Sequence, residues 1–166
     1  MKNFFRKVAF GVGSSDEIPA DPLNWALDQL NDVPDLSWKG KIYSEKELRN
    51  HYRDWVYGDR KKLRKKYKDN KTLYKLNKDI LRHKTGQKFW ESLEISIRHN
   101  EGINSEHPVL AKLWMFWGNF FAISEKDFLA NYSTGAYQRE IIRPNLNQSF
   151  EKMVYDVTTS WAMIHH

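Results

Sequence analysis

The feature that most constrains the fold of this chain is an apolar segment over residues 108–122, PVLAKLWMFWGNFFA. Only Lys112 and Asn119 are strongly polar within it, and because they lie seven residues apart, they share one narrow stripe of a helix. A helix that is apolar nearly all round is typical of a buried position. We therefore predict a central aromatic helix in which a buried Asn119 needs hydrogen-bond partners, with an aromatic ligand pocket as the alternative.

Gly118 adds a second constraint on the same segment. Glycine within a helix is less favourable than alanine by about 1 kcal/mol, so its presence needs a compensating reason. We expect another helix to cross closely over Gly118. For the hydrogen-bond partner of Asn119 we expect Glu140, Arg143 or a backbone carbonyl at this crossing.

Helix-start signals recur along the rest of the chain. Asp21-Pro22 combines an N-cap residue with a proline at the first helical position, and Ser44 with Glu47 forms a capping box. Ser124 resembles a further cap, and Pro144 is expected to begin the last helix. In the same way, Ser133 or Thr134 is expected to cap a helix that runs through Ile142.

Apolar residues follow helical spacing between these signals. Leu73, Leu76 and Ile80 form one such stripe in a helix from about residue 72, for which Gly86 predicts a kink. No segment alternates with period 2. We predict an all-α, single-domain bundle of about six or seven helices over residues 1–166, with the aromatic helix at its centre.

Composition excludes several classes of protein. The chain has 166 residues and no cysteine, which excludes disulfides, thiolate zinc sites and cysteine nucleophiles. No stretch reaches the roughly 18 apolar residues of a membrane helix. Arg6-Lys7 interrupts any apolar core of a signal peptide, so we expect a cytoplasmic protein by default.

Basic residues are concentrated in one segment. Residues 53–84 contain 13 Lys and Arg against 4 Asp and Glu, a net charge of +9 in a chain whose formal charge is +6. Residues 60–68, where Lys and Arg are most concentrated, predict a polyanion-binding helix. The alternative is an ordinary amphipathic helix whose lysines face solvent. No nucleic-acid-binding motif accompanies it, so we do not expect nucleic acid as the partner. The candidate residues are Arg60, Lys61, Lys62, Arg64, Lys65, Lys66 and Lys68.

No catalytic or metal motif is evident in the sequence. None of the six histidines has the HExxH spacing, and no GxSxG elbow occurs, so we predict neither a metal site nor a cofactor. Glu140 and Arg143 are three residues apart and can pair along a helix. With Asn119 they are the only weak candidates for a catalytic pocket.

Four stretches, in order, resemble the bacterial "domain of unknown function 1800" family. They are FGVG at residues 10–13, EHPVLAKLWMFWGNFFAIS at 106–124, GAYQREIIRPNLNQSFEKMVYDV at 135–157, and WAMIHH at 161–166. The resemblance implies a helical architecture of unknown biochemistry in proteins several hundred residues long. It leaves export open, because many members are exported and their genes neighbour those of sulfatase-like proteins.

The chain departs from the family pattern at three places where the family has histidine. Phe120, Asn145 and Ser160-Trp161 stand where the pattern has His, His and His-Pro. Any chemistry that depends on those histidines is therefore in doubt. The positions that match the pattern are Phe116, Trp117, Asn119, Phe121, Glu140, Arg143, Pro144, Ala162 and Met163.

Together these observations favour a non-catalytic helical module that serves as a scaffold or binds a partner. The resemblance implies that it is the N-terminal fragment of a longer protein, whose partner is its own C-terminal part or a sulfatase-like envelope protein. The first alternative is an enzyme of unknown, possibly hydrolytic class, with a pocket around Asn119, Glu140 and Arg143. The second alternative is polyanion binding through residues 60–68.

Overall fold

Every regular element is helical in the computed structural model, which describes residues 2–11, 17–124 and 130–165. This confirms the all-α prediction. The helices are α1 (Lys2–Val8), α2 (Pro22–Asp28), α3 (Glu45–Arg53), α4 (Arg60–Lys66), α5 (Lys71–Lys84), α6 (Gln87–Asn104), α7 (Pro108–Phe120), α8 (Ala130–Tyr137), α9 (Phe150–Thr159) and α10 (Trp161–Ile164). A π-helical turn, Asp54–Asp59, joins α3 to α4. A second π-helical turn, Gln138–Ile142, and a 3-10 turn, Arg143–Asn145, extend α8.

Local capping signals placed two helix starts correctly. The Asp21 carboxylate accepts hydrogen bonds from the amides of Leu23 and Asn24, both at 3.1 Å, and α2 begins at Pro22. Ser44 and Glu47 form the predicted reciprocal capping box at the start of α3. Both signals depend only on residues within one turn, which is why the sequence alone reveals them.

The prediction of a kinked helix at Gly86 is wrong, because the chain breaks there into α5 and α6. Gly86 is extended, with φ −96° and ψ −165°, and a Cβ built on it would lie 2.8 Å from the Cα of Arg82. The chain therefore folds back tightly against the end of α5. The indole of Trp90 holds this corner by donating a hydrogen bond to the carbonyl of Thr85 at 3.2 Å.

The boundaries around α8 also differ from the prediction. Ser133 and Thr134 are not caps: both hydroxyls donate to the carbonyl of Ala130 from within the helix, Thr134 at 2.7 Å. Pro144 lies in the 3-10 turn, and the next helix starts later, with Ser149 as its N-cap. The remaining residues of the predicted cap that begins at Ser124 lie outside the described part of the chain.

Among the residues that the structure describes, α7 takes part in two of the apolar clusters that hold the elements together. Trp114 packs with Tyr137, Ile142 and Val157 of the following helices. Near its other end, Val109 packs with Ala9 and Ala26 of the first two helices. Full burial of one large side chain contributes about 1.5–3 kcal/mol, so these contacts hold α7 between the first two helices and the helices that follow it.

The prediction that α7 is buried all round is wrong. Its buried face carries Val109, Leu110, Ala111, Trp114 and Gly118, whereas its opposite face is open to solvent. Phe116 and Phe120 are 55% and 62% exposed, and Asn119 is exposed beside them. Periodicity could not reveal this, since a helix with apolar residues on both faces gives no preferred direction of burial.

Within the described residues, no helix is long and apolar enough to cross a membrane.

Candidate functional site

A small cleft opens between α6, α7 and α8, and Asn119 lies on its rim. The cleft has a volume of about 210 Å³. Its floor is made by Gln138, which accepts a hydrogen bond from Arg98 at 2.7 Å and donates one to the carbonyl of Gly118 at 3.4 Å. The lining residues from the three helices include Glu91, Glu94, Ile95, Trp114, Asn119, Asn131, Thr134 and Gly135.

Gly118 is the point at which α7 meets the π-helical turn after α8. A Cβ built on Gly118 would lie 3.1 Å from Oε1 of Gln138, which is tighter than an ordinary contact. The expected close crossing over Gly118 is therefore confirmed. The partner at the crossing is Gln138, whose backbone carbonyl also accepts the indole hydrogen bond of Trp114 at 2.7 Å.

Beneath the cleft, the buried guanidinium of Arg139 is paired with two carboxylates and a backbone carbonyl. Its guanidinium binds the Glu94 carboxylate through two hydrogen bonds, Nη2 to Oε1 at 2.7 Å and Nε to Oε2 at 3.2 Å. It also donates to Glu140 at 2.9 Å and to the carbonyl of Tyr43 at 2.6 Å. Burial alone would lower the pKa of Arg139, but the bonds to Glu94 and Glu140 outweigh it and the pKa is raised.

Glu140 has two partners that hold it away from the cleft. Besides Arg139, it accepts hydrogen bonds from the backbone amide of Glu45 at 3.1 and 3.3 Å. That amide is the first of α3, where a carboxylate is stabilised by the unpaired amides and the helix dipole. Partial burial raises the pKa of Glu45. The nearby charge of Arg49 lowers this pKa and that of Glu140 raises it, and the net shift is upward.

Arg143 braces a different part of the bundle. Its guanidinium donates to the buried Glu101 at 3.4 Å and lies over the ring of Trp114 at 5.9 Å. The other carboxylate oxygen of Glu101 accepts from the amide and the hydroxyl of Ser37, at 2.9 and 2.8 Å. Arg143 therefore ties the 3-10 turn to α6 and to the long segment before α3.

The predicted pairing of Glu140 with Arg143 is wrong, since each binds another partner. The reason is the π-helical turn Gln138–Ile142, which widens the helix so that residues three apart no longer lie one above the other. Asn119 is exposed, and in the described part of the chain it forms no hydrogen bond with either residue. The structure does not bring the three together, and their catalytic role stays a prediction without geometric support.

The basic residues of the polyanion prediction lie on α4 and just after it. Lys61, Lys62, Arg64, Lys65, Lys66 and Lys68 are exposed, and Arg60 is half-buried. Leu63 is the buried residue that anchors this helix. Over the described residues, no group of three or more histidines, aspartates or glutamates is placed to hold a metal ion.

A third feature, which the sequence did not predict, is an exposed apolar surface across α2, α7 and the start of α9. We call it the apolar face and define it by Leu23, Leu27, Phe116, Phe120 and Phe150, which are between 49% and 62% exposed.

The aromatic rings within and beside the apolar face are in mutual contact. The Trp117 ring lies 5.0, 5.5 and 5.6 Å from those of Phe116, Phe120 and Phe150, measured between ring centres. On the other side of Phe116, a groove of about 420 Å³ is lined by Leu23, Leu27 and further apolar side chains.

The buried polar residues were the ones that sequence reasoning missed. Arg139, Glu94 and Gln138 join the helices around the cleft through their hydrogen bonds, yet no local motif marks them. The one available signal was an arginine beside a glutamate within a mostly apolar segment, AYQREII.

Comparison with known families gives one result. Residues 3–166 match a family described as "Protein of unknown function (DUF1800)". Neither a curated protein nor a solved structure matches the chain.

Proposed function

Because the chain belongs to the DUF1800 family of proteins of unknown function, we propose that it is a non-catalytic helical module that binds a partner polypeptide through its apolar face. The observation that carries the proposal is the position of Phe116. Its ring contacts Trp117 within the aromatic cluster and also lines the groove beside Leu23 and Leu27. The two apolar features therefore form one continuous surface.

A surface of this kind is unfavourable unless something covers it. Contiguous exposed apolar patches on proteins commonly mark interaction sites, whereas apolar residues exposed singly are ordinary. Phe120 and Phe150 pack against Trp117, with ring centres 5.5 and 5.6 Å from that of the indole. Side chains that already pack against one another lose less conformational freedom when a partner binds, which lowers the entropic cost of association.

The proposed occupant is an amphipathic helix. A groove lined by apolar side chains accepts the apolar face of a helix, which offers anchors at i, i+3 or i+4, and i+7. Lys7 lies on the groove wall and is exposed, so an acidic residue on the incoming helix complements it. The amine of Lys112 donates hydrogen bonds to the carbonyls of Arg6 and Ala9, both at 2.6 Å. Lys112 therefore joins α7 to the end of α1, and it is not the residue that we expect to pair with the partner.

Two sources could supply this helix. As the resemblance implies, longer members of the family contain further helical polypeptide, and residues 1–166 correspond to their N-terminal part. The second source is a separate protein, of which a sulfatase-like neighbour is the candidate. An amphipathic helix from either source would contact the apolar face through its apolar side chains. The identity of the crosslinked product therefore distinguishes the two sources.

Site-specific photo-crosslinking tests the proposal. A photoreactive phenylalanine analogue is placed at Leu27, at Phe120, or at Tyr57, and the products formed in host cells are identified by mass spectrometry. Tyr57 is the control, because it is 71% exposed but lies in the π-helical turn after α3. The captured polypeptide is then purified, and its affinity for the unlabelled chain is measured.

We expect one polypeptide to be captured from both Leu27 and Phe120 and not from Tyr57, and Phe120→Asp to weaken its affinity at least tenfold. Capture of a longer family protein or of a sulfatase-like protein decides between the two sources. Capture of a second copy of the chain, or an affinity that Phe120→Asp leaves unchanged, would overturn the proposal.

A further inference from the structure

The helix α5 has an unusual orientation. It has 14 residues, and none of them is buried. Its apolar stripe faces outward: Leu73, Leu76 and Ile80 are 42%, 57% and 45% exposed. The side that contacts the bundle carries Tyr74 and Leu81, of which Leu81 packs against the cluster that contains Trp55 and Trp90.

Helical spacing identified the stripe but could not show which side faces the bundle. Tyr74 and Leu81 form a second apolar side of α5. This second side packs toward α6 and is half-buried, whereas the stripe stays exposed.

The exposed stripe lies within the most basic part of the chain. The segment over residues 53–84 has a net charge of +9, and α4 leads into α5 through a short turn. Lys68, Lys71 and Lys75, at and just after that turn, are exposed. Of the described acidic residues, none forms an ion pair with Lys61, Lys62 or Lys65 of α4, so these charges are available to an external anion.

We propose that α4 and α5 together bind the surface of an anionic lipid membrane. A basic helix that also exposes leucine and isoleucine fits a membrane interface, because lipid phosphates attract the cations while the apolar side chains enter the boundary of the acyl chains. A lysine side chain fits such an interface because its methylene stem lies along the apolar boundary while its amine extends toward the headgroups. The proposal is independent of the proposed partner-binding role, since it uses a different surface.

Two further features agree with a lipid surface. Tyr57, beside α4, is 71% exposed, and tyrosine is favoured at membrane–water interfaces. Together with Val56 and Lys61 it lines a shallow hollow of about 360 Å³, large enough for a headgroup. Nucleic acid would use the same cations, but it gives no reason for three exposed aliphatic side chains on α5.

Vesicle co-sedimentation tests the proposal with the chain as it exists. The vesicles contain phosphatidylcholine alone, or phosphatidylcholine with phosphatidylserine. We expect binding to the second kind only, weakening as salt rises because phosphate contacts are screened. Labelled duplex DNA and single-stranded RNA are measured in parallel.

Two variants separate charge from apolar insertion. We expect Leu73→Ser/Leu76→Ser to weaken vesicle binding roughly tenfold at every salt concentration, since the lost contact is apolar. Lys62→Gln/Lys65→Gln should weaken binding and flatten its salt dependence. Ile103→Ser, at an 80% exposed position of α6 that belongs to neither surface, is the matched control and should leave binding unchanged. All changes are at exposed positions, and circular dichroism checks that each variant stays helical.

The result that would support the proposal is anionic-vesicle binding that responds to both variants and not to the control. Three results would overturn it: no binding to anionic vesicles, equal binding to both kinds of vesicle, or vesicle binding that Leu73→Ser/Leu76→Ser leaves unchanged. Binding to nucleic acid without binding to vesicles would assign the surface to a different polyanion and would also overturn it.

Discussion

Arg139 and Glu94 form a bidentate ion pair beneath the cleft, with side chains only 6% and 10% exposed. Removal of Arg139 leaves the Glu94 carboxylate buried without its ion-pair partner, which costs about 3–5 kcal/mol, whereas Arg139 itself would keep a second carboxylate, Glu140. We therefore expect Arg139→Ala to lower the free energy of unfolding by at least that amount in urea titrations. A loss below about 1 kcal/mol would contradict a buried pair.

A surface pair gives the matched comparison for this prediction. Lys152 binds Asp156 at 2.6 Å, but its side chain is 53% exposed. Lys152→Ala should change the free energy of unfolding by at most about 1 kcal/mol, because water and salt screen an exposed pair.

Two glycines should respond in opposite directions to the same substitution. A Cβ at Gly135 would overlap the side chain of Glu94, whereas nothing lies within 4 Å of a Cβ at Gly58. We expect Gly135→Ala to destabilise the chain by about 1–3 kcal/mol through overpacking. Gly58→Ala should stabilise it by about 0.4–1 kcal/mol, because alanine reduces the entropy of the unfolded chain.

Thermal or urea unfolding of the two glycine variants measures this contrast. If both variants changed the free energy of unfolding in the same direction, the space around Gly135 and Gly58 would not differ in the way that the two Cβ positions indicate.

Glu47 should contribute a pH-dependent part of the stability. Its hydrogen bonds from the Ser44 backbone and from Lys41 lower its pKa from 4.5 to about 2. A carboxylate whose pKa is lower in the folded state stabilises the fold above its unfolded pKa and loses that contribution as pH falls. Stability that depends on Glu47 should therefore disappear between pH 4.5 and about 2.

Comparison of the wild type with Glu47→Gln over that range measures the effect. The wild-type free energy of unfolding should fall more steeply with decreasing pH than that of the variant. Parallel curves would show that the capping box does not perturb this carboxylate.

The half-exposed ring of Phe120 should contribute modestly to folding. It is 62% exposed but contacts Trp117 at 5.5 Å between ring centres, and an aromatic pair contributes about 0.5–1.5 kcal/mol, so Phe120→Ser should lower the free energy of unfolding by about that much. It should also reduce the binding of a hydrophobic dye, because the apolar face is interrupted. A large loss of stability would mean that Phe120 belongs to the core.

Features that form within one helical turn were predictable from the sequence, whereas most features that depend on packing between distant residues were not. The caps at Asp21 and Ser44 are formed within one turn, so their residue types were sufficient. The close contact over Gly118 was also predictable, because glycine inside an apolar helix is unfavourable unless a neighbouring element approaches closely. Helix-start signals of this kind, together with the helical spacing of the apolar residues between them, were sufficient for the all-α class.

The remaining features arise from contacts between distant residues. Arg139 reaches Glu94, 45 residues away, and Glu140 reaches the amide of Glu45, 95 residues away. The π-helical turn after α8 moved Glu140 and Arg143 apart, and no sequence signal marks such a turn. The outward orientation of Leu73 and Phe116 likewise depends on which face the neighbouring helices cover.

The central claim is that the apolar face holds a partner helix. Hydrogen–deuterium exchange on the chain, alone and saturated with the polypeptide captured through Leu27 and Phe120, tests this claim most directly. We predict slower amide exchange in α2, in the second half of α7 and at the start of α9, with α4 and α8 unchanged. Unchanged exchange in α2 and α7, or protection confined to the cleft between α6 and α8, would contradict it.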